Sequence, residues 1–182
     1  MRQANVAQLF DYHRERLQLL HVSGTLDAPI AISQQHTSPA DLVGHLNLIH
    51  PDRIQVIGAP EIDWATQQHT IRVSRHIEEI LAARPPALIV ADACPIQASV
   101  RDACEKTDTA LFSTPQSAAV VIDLLRIWLS RQLAETVELH AVMMDVLGMG
   151  VLITGDSGVG KSELGLELIS RGSGLIADDV IE

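Results

Sequence analysis

Apolar and polar positions alternate along the first two thirds of the chain in a pattern that predicts helices and strands in succession. Residues 6–20 carry apolar side chains at positions 6, 9, 10, 17 and 20, which is close to helical spacing. Residues 41–51 fit a strand or a buried turn that ends at a proline. Residues 53–57, 87–91 and 110–113 are short apolar runs of the kind that forms buried parallel strands.

Three further helices are predicted between and after these strands, over residues 75–83, 96–106 and 117–133. The longest helix is expected to face the core with an apolar stripe formed by Val120, Leu124, Ile127 and Trp128. Strands that alternate with helices favour right-handed βαβ units and therefore an α/β fold.

A polar stretch over residues 131–138 marks the expected boundary between two domains. We expect an N-terminal α/β domain over residues 1–133 and a second α/β domain that opens within residues 134–182. In the second segment the pattern predicts three strands and one helix, at residues 139–146, 150–154, 175–177 and 163–171. The segment is short for a nucleotide-binding domain, so we expect the chain to hold only the opening of that domain.

A glycine-rich motif connects the predicted strand at 150–154 to the predicted helix. It matches the pattern G-x-x-x-x-G-K-[S/T] and consists of Gly155, Asp156, Ser157, Gly158, Val159, Gly160, Lys161 and Ser162. Glycines let the backbone N–H groups converge on an anion, and the following helix adds the positive end of its dipole. Lys161 is expected to reach the β- and γ-phosphates, and the Ser162 hydroxyl to ligate Mg²⁺. The alternative is a glycine-rich surface turn that binds nothing.

Two adjacent carboxylates, Asp178 and Asp179, follow the predicted strand at 175–177. A helix and a return strand fill the gap after Ser162, so we expect the pair beside the phosphate loop at the end of a neighbouring strand. One carboxylate would hold a magnesium-bound water and the other would accept a proton from an attacking hydroxyl. Adjacent strand residues point to opposite faces, so both can serve one site only if the strand has ended. The alternative is a capping or turn pair.

Histidine and cysteine residues give weaker signals. His140 differs from the other histidines by its place at the start of the second segment. We expect surface or packing roles for the other seven, which are His13, His21, His36, His45, His50, His69 and His76. Cys94 and Cys104 are expected to be ordinary reduced thiols and not a disulfide or a zinc site.

The charge balance restricts the classes of partner. The chain has 13 basic and 23 acidic residues and a net charge of −10, which disfavours nucleic acid as a partner. A nucleotide would therefore bind most readily as a magnesium complex. Charged residues interrupt the N-terminal segment and every long apolar stretch, so we expect no secretion signal, no membrane span and a cytoplasmic protein.

The region around the loop resembles the catalytic domain of the HPr kinase/phosphorylase family, through residues 155–163, 166–172 and 175–179. Residues 42–51 and 53–58 are similar to the N-terminal domain of the proteobacterial members. The resemblance implies a fold like that of phosphoenolpyruvate carboxykinase and a hexamer. It also implies transfer of phosphate from ATP or pyrophosphate to a serine of the phosphocarrier protein HPr, and its removal by inorganic phosphate.

The resemblance also assigns roles to individual residues. Residues 155–162 would bind nucleotide or phosphate, Ser162 would touch Mg²⁺, and Lys161 and His140 would belong to the active site. Asp179, with Asp178 beside it, would be the base in phosphorylation and the acid in the reverse step.

The chain departs from the family pattern at two positions, with Ala141 after His140 where the family has glycine, and Ser173 where it has histidine. The second departure puts a hydroxyl where an imidazole is expected close to the Asp pair. These departures leave open a non-catalytic regulator that senses nucleotide. A kinase of a small metabolite on the same loop is the alternative enzyme. A downstream magnesium carboxylate and the HPr-binding loops are absent from the 182 residues, so we expect this chain alone to be inactive.

Overall fold

The computed structural model describes residues 4–32, 38–67, 70–134 and 138–181, with side chains left out of the description at 65–74. His36 and His69 lie outside the described residues. The chain divides into two compact units, Met1–Ala134 and Glu135–Glu182. No helix in the described ranges is long and apolar enough to cross a membrane.

The first unit has a five-stranded sheet with helices on both faces. Its elements are β1 (Ala4–Asn5), α1 (Val6–His13), β2 (Leu20–Ser23), β3 (Pro29–Ile30), a 3₁₀ turn (Pro39–Leu42), β4 (Val43–His45), β5 (Ile54–Ile57), α2 (Ala59–Gln67), α3 (Thr70–Ala82), β6 (Ala87–Val90), α4 (Ala98–Thr107), β7 (Ala110–Ser113) and α5 (Ala118–Gln132). The sheet order is β2-β7-β6-β5-β4, in which β4 to β7 are parallel and β2 is antiparallel. The predicted α/β class and parallel strands are therefore confirmed.

The beginning of the chain differs from its prediction. A single helix over residues 6–20 is wrong, because α1 ends at His13 and an antiparallel edge strand begins at Leu20. Gln18 adopts a positive φ of 50° between them, which a continuous helix does not allow. Leu17 is fully buried although it lies outside α1, whereas Leu20 is 65% exposed.

The two faces of this sheet carry separate apolar clusters. Val56, Ile89 and Phe112 pack on the side of α1 and α5. Leu88 and Leu111 pack on the other side, with α3 and α4. This alternation follows from the two-residue period of strand side chains, and it leaves the central strands β5, β6 and β7 buried on both faces.

Helix α5 buries a different face from the one predicted. Val120 and Ile127 are 43% and 54% exposed, whereas Val121 and Leu125 are fully buried. Trp128 belongs to both the predicted and the observed face and is buried. The helix is apolar on most of its circumference, so two stripes offset by one residue, or about 100°, fit the sequence equally well.

The second unit is an antiparallel sheet with one helix. Its elements are β8 (Leu139–Val146), β9 (Met149–Thr154), α6 (Lys161–Ser170), β10 (Gly174–Ala177) and β11 (Val180–Ile181). Strand β8 is central, with β9 along one edge and β10 followed by β11 along the other. Helix α6 approaches the sheet at Gly165, where an added Cβ would lie 3.3 Å from Val142 Cγ1. The predicted strands and helix of this segment are confirmed to within about two residues.

Candidate active site

The glycine loop connects the end of β9 to the first turn of α6. Gly155, Gly158 and Gly160 have φ angles of 152°, 80° and 98°, which side-chain-bearing residues rarely adopt. Gly160 is the N-cap of α6 and provides no side-chain cap. The first amides of the helix therefore remain available to an anion, as the sequence motif predicts.

The Lys161 side chain folds back over the loop. Its Nζ atom donates hydrogen bonds to the carbonyl oxygens of Gly155, at 2.8 Å, and Asp156, at 2.9 Å. An ammonium group has three donors, so one N–H group remains for a ligand. Phosphate oxygens are stronger acceptors than neutral carbonyls and would compete for the two that are engaged.

A cavity of about 500 Å³ lies beside the loop. The residues that line it come from the loop, from α6, from β8 and from the turn after β10. They are His140, Ala141, Gly155, Ser157, Gly158, Gly160, Lys161, Ser162, Glu163, Asp178 and Asp179. The sequence motif and the Asp pair therefore share one cavity, whereas Asp156 and Val159 are not among the described residues that line it.

The Asp pair interrupts the edge of the sheet. β10 ends at Ala177 and β11 begins at Val180, so Asp178 and Asp179 stand in neither strand. Asp179 has a φ of 78°, and its N–H group donates to Asp178 Oδ1 at 2.9 Å. The strand has ended, and both side chains line the same cavity, which an uninterrupted strand would prevent. A positive φ at aspartate is uncommon and such strain clusters at functional sites.

The strand that leads to the Asp pair is not the neighbour of the strand that enters the loop, contrary to the expectation. β10 pairs with β8 and not with β9, the strand that enters the loop. The central strand β8 therefore lies between the Asp pair and the loop, and it contributes His140 and Ala141 to the cavity. In register, His140 is opposite Val180 and Ala141 is opposite Thr154, the last residue of β9.

Ser173 lies away from the Asp pair. Its N–H group bonds to the Leu168 carbonyl oxygen at 3.0 Å, and Gly172 has a φ of 93°, so both close the C-terminus of α6. The four residues of β10 separate Ser173 from Asp178. At the rise of a β-strand, the distance between these two residues is roughly 15 Å. The expectation that residue 173 stands close to the Asp pair is therefore wrong.

Formal charges favour a bound cation in this cavity. Its lining includes the carboxylates of Glu163, Asp178 and Asp179 and a single ammonium, that of Lys161. Glu163 was not predicted as a site residue, although its place after Ser162 in the first turn of α6 could have suggested it. Within the described ranges no group of three or more His, Cys, Asp or Glu side chains is placed to hold a metal ion.

The fold and the cavity define a class of mixed α/β protein in which a glycine loop, a lysine and a carboxylate pair surround one site. Comparison with known proteins gives the family. The family profile described as HPr Serine kinase N terminus matches residues 4–129, and that described as HPr Serine kinase C-terminal domain matches residues 131–182. The chain belongs to the HPr kinase/phosphorylase family, as its resemblance to that family predicts.

Curated relatives support the same membership. The HPr kinase/phosphorylase of Azoarcus sp. (strain BH72) is 59% identical over 182 residues, which are 100% of this chain and 58% of that protein. The HPr kinase/phosphorylase of Aromatoleum aromaticum is 58% identical over 182 residues, which are also 100% of this chain and 58% of the relative. That of Burkholderia cenocepacia is 58% identical over 146 residues, which are 80% of this chain and 45% of the relative. The chain thus spans less than two thirds of the length of these relatives.

Proposed function

We propose that this chain is the N-terminal domain, residues 1–133, and the opening of the catalytic domain, residues 134–182, of an HPr kinase/phosphorylase. The catalytic domain would have a phosphate-loop fold like that of phosphoenolpyruvate carboxykinase, and the assembly would be a hexamer. The observation that carries the proposal is the single cavity shared by the glycine loop, Lys161 and the Asp pair. The names of the relatives supply HPr as the substrate, and the family descriptions supply serine as the residue that is phosphorylated.

The loop would bind the phosphates of ATP, or pyrophosphate in its place. Gly155, Gly158 and Gly160 shape the backbone so that its N–H groups and the uncapped start of α6 meet the phosphate oxygens. Lys161 would exchange its bonds to the Gly155 and Asp156 carbonyls for the β- and γ-phosphates. Because these bonds already span the loop, the lysine would be held near its working position before a ligand arrives.

The residues around the loop fit a magnesium ion that arrives with the nucleotide. Ser162 provides a hydroxyl and the Asp pair provides carboxylates on the same cavity, and the phosphates would complete the ligand set. The ion would neutralise charge that develops on the transferring phosphoryl group.

Asp179 would exchange the proton at the reacting hydroxyl. In the forward direction the HPr serine oxygen bonds to the γ-phosphorus, the bond to ADP breaks, and Asp179 accepts the serine proton. In the reverse direction an oxygen of inorganic phosphate bonds to the phosphoserine phosphorus, the bond from that phosphorus to the serine oxygen breaks, and the serine oxygen takes a proton from Asp179. Pyrophosphate is the product. Asp178 Oδ1 accepts the Asp179 N–H bond, so Asp178 would position its neighbour and could offer its other oxygen as a metal ligand. His140 would complete the site from β8.

The decisive experiment is Lys161→Ala in the full-length protein, assayed for phosphate transfer to purified HPr and for pyrophosphate release from phospho-HPr. One ammonium serves the same phosphates in both directions, so both activities should fall together by at least about 10²-fold. Lys106→Ala is the matched control, because Lys106 is the only other lysine of the chain and lies in α4 of the first unit. Near-normal transfer by Lys161→Ala would refute the assignment.

A further inference from the structure

A second cavity, of about 300 Å³, lies in the first unit at the edge where the parallel strands end. Ile57 and Val90, the last residues of β5 and β6, form part of its wall, and Leu46 follows directly after β4. Helices α3 and α4 close the cavity with Ile80 and Val100. Ligands of open parallel sheets bind at this carboxyl edge, because the loops that leave the strands converge there.

The wall is mainly apolar, and Glu61 is its one carboxylate among the described residues. Glu61 Oε2 accepts the Gly58 N–H bond at 2.9 Å, and Oε1 lies 3.0 Å from His45 Nδ1. Its side chain is only 24% exposed. These partners fix the carboxylate at the cavity, and its remaining lone pairs can accept a bond from a ligand.

Other carboxylates lie near this edge of the sheet, and two basic groups there, His45 and Arg53, are already bonded to Glu61 Oε1 and to the His45 carbonyl oxygen. Burial, and after it the charges of Asp92, Asp63 and Glu61, raises the pKa of the Cys94 thiol. The described lining contains no lysine or arginine, and its basic side chain is the imidazole of His76. The local field therefore disfavours an anionic ligand and favours a cationic one.

An aromatic side chain stands at the same cavity. Trp64 is 53% exposed although it contributes to the lining. A half-exposed indole next to apolar wall residues offers a face for a flat apolar group and for a cation. The cavity thus combines an apolar body, an aromatic face and one fixed carboxylate.

We propose that this cavity is a binding site for a small organic amine, with a ring-sized apolar body in the cavity and an ammonium group paired with Glu61. The site is separate from the glycine loop and is independent of the activity proposed for the second unit. It would give the first unit a ligand-sensing role.

Three probes of similar size and different charge test the proposal on the unmodified 182-residue chain. Phenethylamine, 2-phenylethanol and 3-phenylpropanoate are titrated by calorimetry, with tryptophan fluorescence as a second signal. Phenethylamine should bind at least about threefold more tightly than the neutral alcohol, and the carboxylate should bind most weakly. No binding of the amine, or equal affinity for the amine and the carboxylate, would overturn the proposal.

Variants locate the binding. Glu61→Gln keeps the shape and should weaken phenethylamine binding about threefold to tenfold while leaving the alcohol unchanged. Asp123→Asn on α5 removes an exposed charge elsewhere in the unit and should leave both affinities unchanged. Trp64→Phe should abolish the fluorescence response, since the other tryptophan, Trp128, is buried. A response that persists in Trp64→Phe, or a loss of amine affinity in Asp123→Asn, would place the binding elsewhere and refute the proposal.

Discussion

The Nζ atom of Lys161 lies 2.8 Å from the carbonyl oxygen of Gly155, so the first residue of α6 is tied to the first residue after β9. The loop between them is thereby closed into a ring. The shape of that ring depends on φ angles that only glycine adopts without strain. Two glycines at opposite ends of α6 allow this dependence to be tested.

Gly160→Ala should impair phosphate binding, whereas Gly172→Ala should not. Both glycines have positive φ, 98° and 93°, and an added Cβ would meet nothing closer than 3.7 Å at Gly160 and nothing within 4 Å at Gly172. Each substitution should therefore cost about 1 kcal/mol of stability through backbone strain alone. Only Gly160 belongs to the loop, so only its variant should bind pyrophosphate and ATP·Mg²⁺ more weakly in calorimetry. Equal affinity in the two variants would contradict a role of the loop conformation in binding.

Asp179→Asn should remove catalysis and retain nucleotide binding. The amide keeps the shape of the side chain but accepts no proton, and general acid–base groups contribute about 10²–10⁴-fold in rate. The glycine loop, Lys161 and Ser162 are unchanged, so ATP affinity should be kept or slightly improved by the loss of a negative charge. The measurements are ATP affinity by calorimetry and the rate of HPr phosphorylation, both in the full-length protein.

Asp178→Asn is the matched comparison for Asp179→Asn. Asp178 accepts the Asp179 N–H bond through Oδ1, so its amide variant can keep this contact and should lose less rate. A variant of Asp179 that loses ATP binding together with rate would assign that residue to the metal or to the structure. Full rate in Asp179→Asn with lost rate in Asp178→Asn would make Asp178 the base.

The sequence predicts the elements of this protein better than the faces they bury. The parallel strands and the strand-loop-helix segment were predictable because their signals are local: short apolar runs, glycines and a spacing rule. The buried face of α5 was not predictable, because most of the circumference of this helix is apolar. The shape of the sheet beneath it decides that Val121 and not Val120 is buried. Likewise, the sequence predicted the Asp pair beside the loop but not the position of β8 between them. That position depends on pairing between strands that are distant in the sequence.

The exposed and buried valines of α5 provide a test of which face this helix buries. Val121→Ala should destabilise the first unit by about 2 kcal/mol, because it removes two methyl groups from a fully buried site. Val120→Ala makes the same chemical change at a 43% exposed site and should alter stability by no more than about 0.5 kcal/mol. Urea unfolding followed by the fluorescence of buried Trp128 measures both. Equal destabilisation would show that the helix has a different rotation.

The buried histidine of α1 should make the first unit less stable in mild acid. His13 is 1% exposed, its ring lies 5.8 Å from the Trp128 ring, and burial followed by the Arg16 charge lowers its pKa from 6.5 to about 4. Between these values the unfolded chain binds a proton that the folded chain does not, so stability falls as pH falls from 6.5 towards 4. The His13 contribution to the loss of stability between pH 7 and pH 5 should be about 2 kcal/mol.

His13→Phe retains an aromatic ring and should remove this part of the pH dependence, whereas His140→Phe, at an exposed position, should not. Urea unfolding at both pH values, again read from Trp128, gives the comparison, and an unchanged pH dependence in His13→Phe would show that another group titrates.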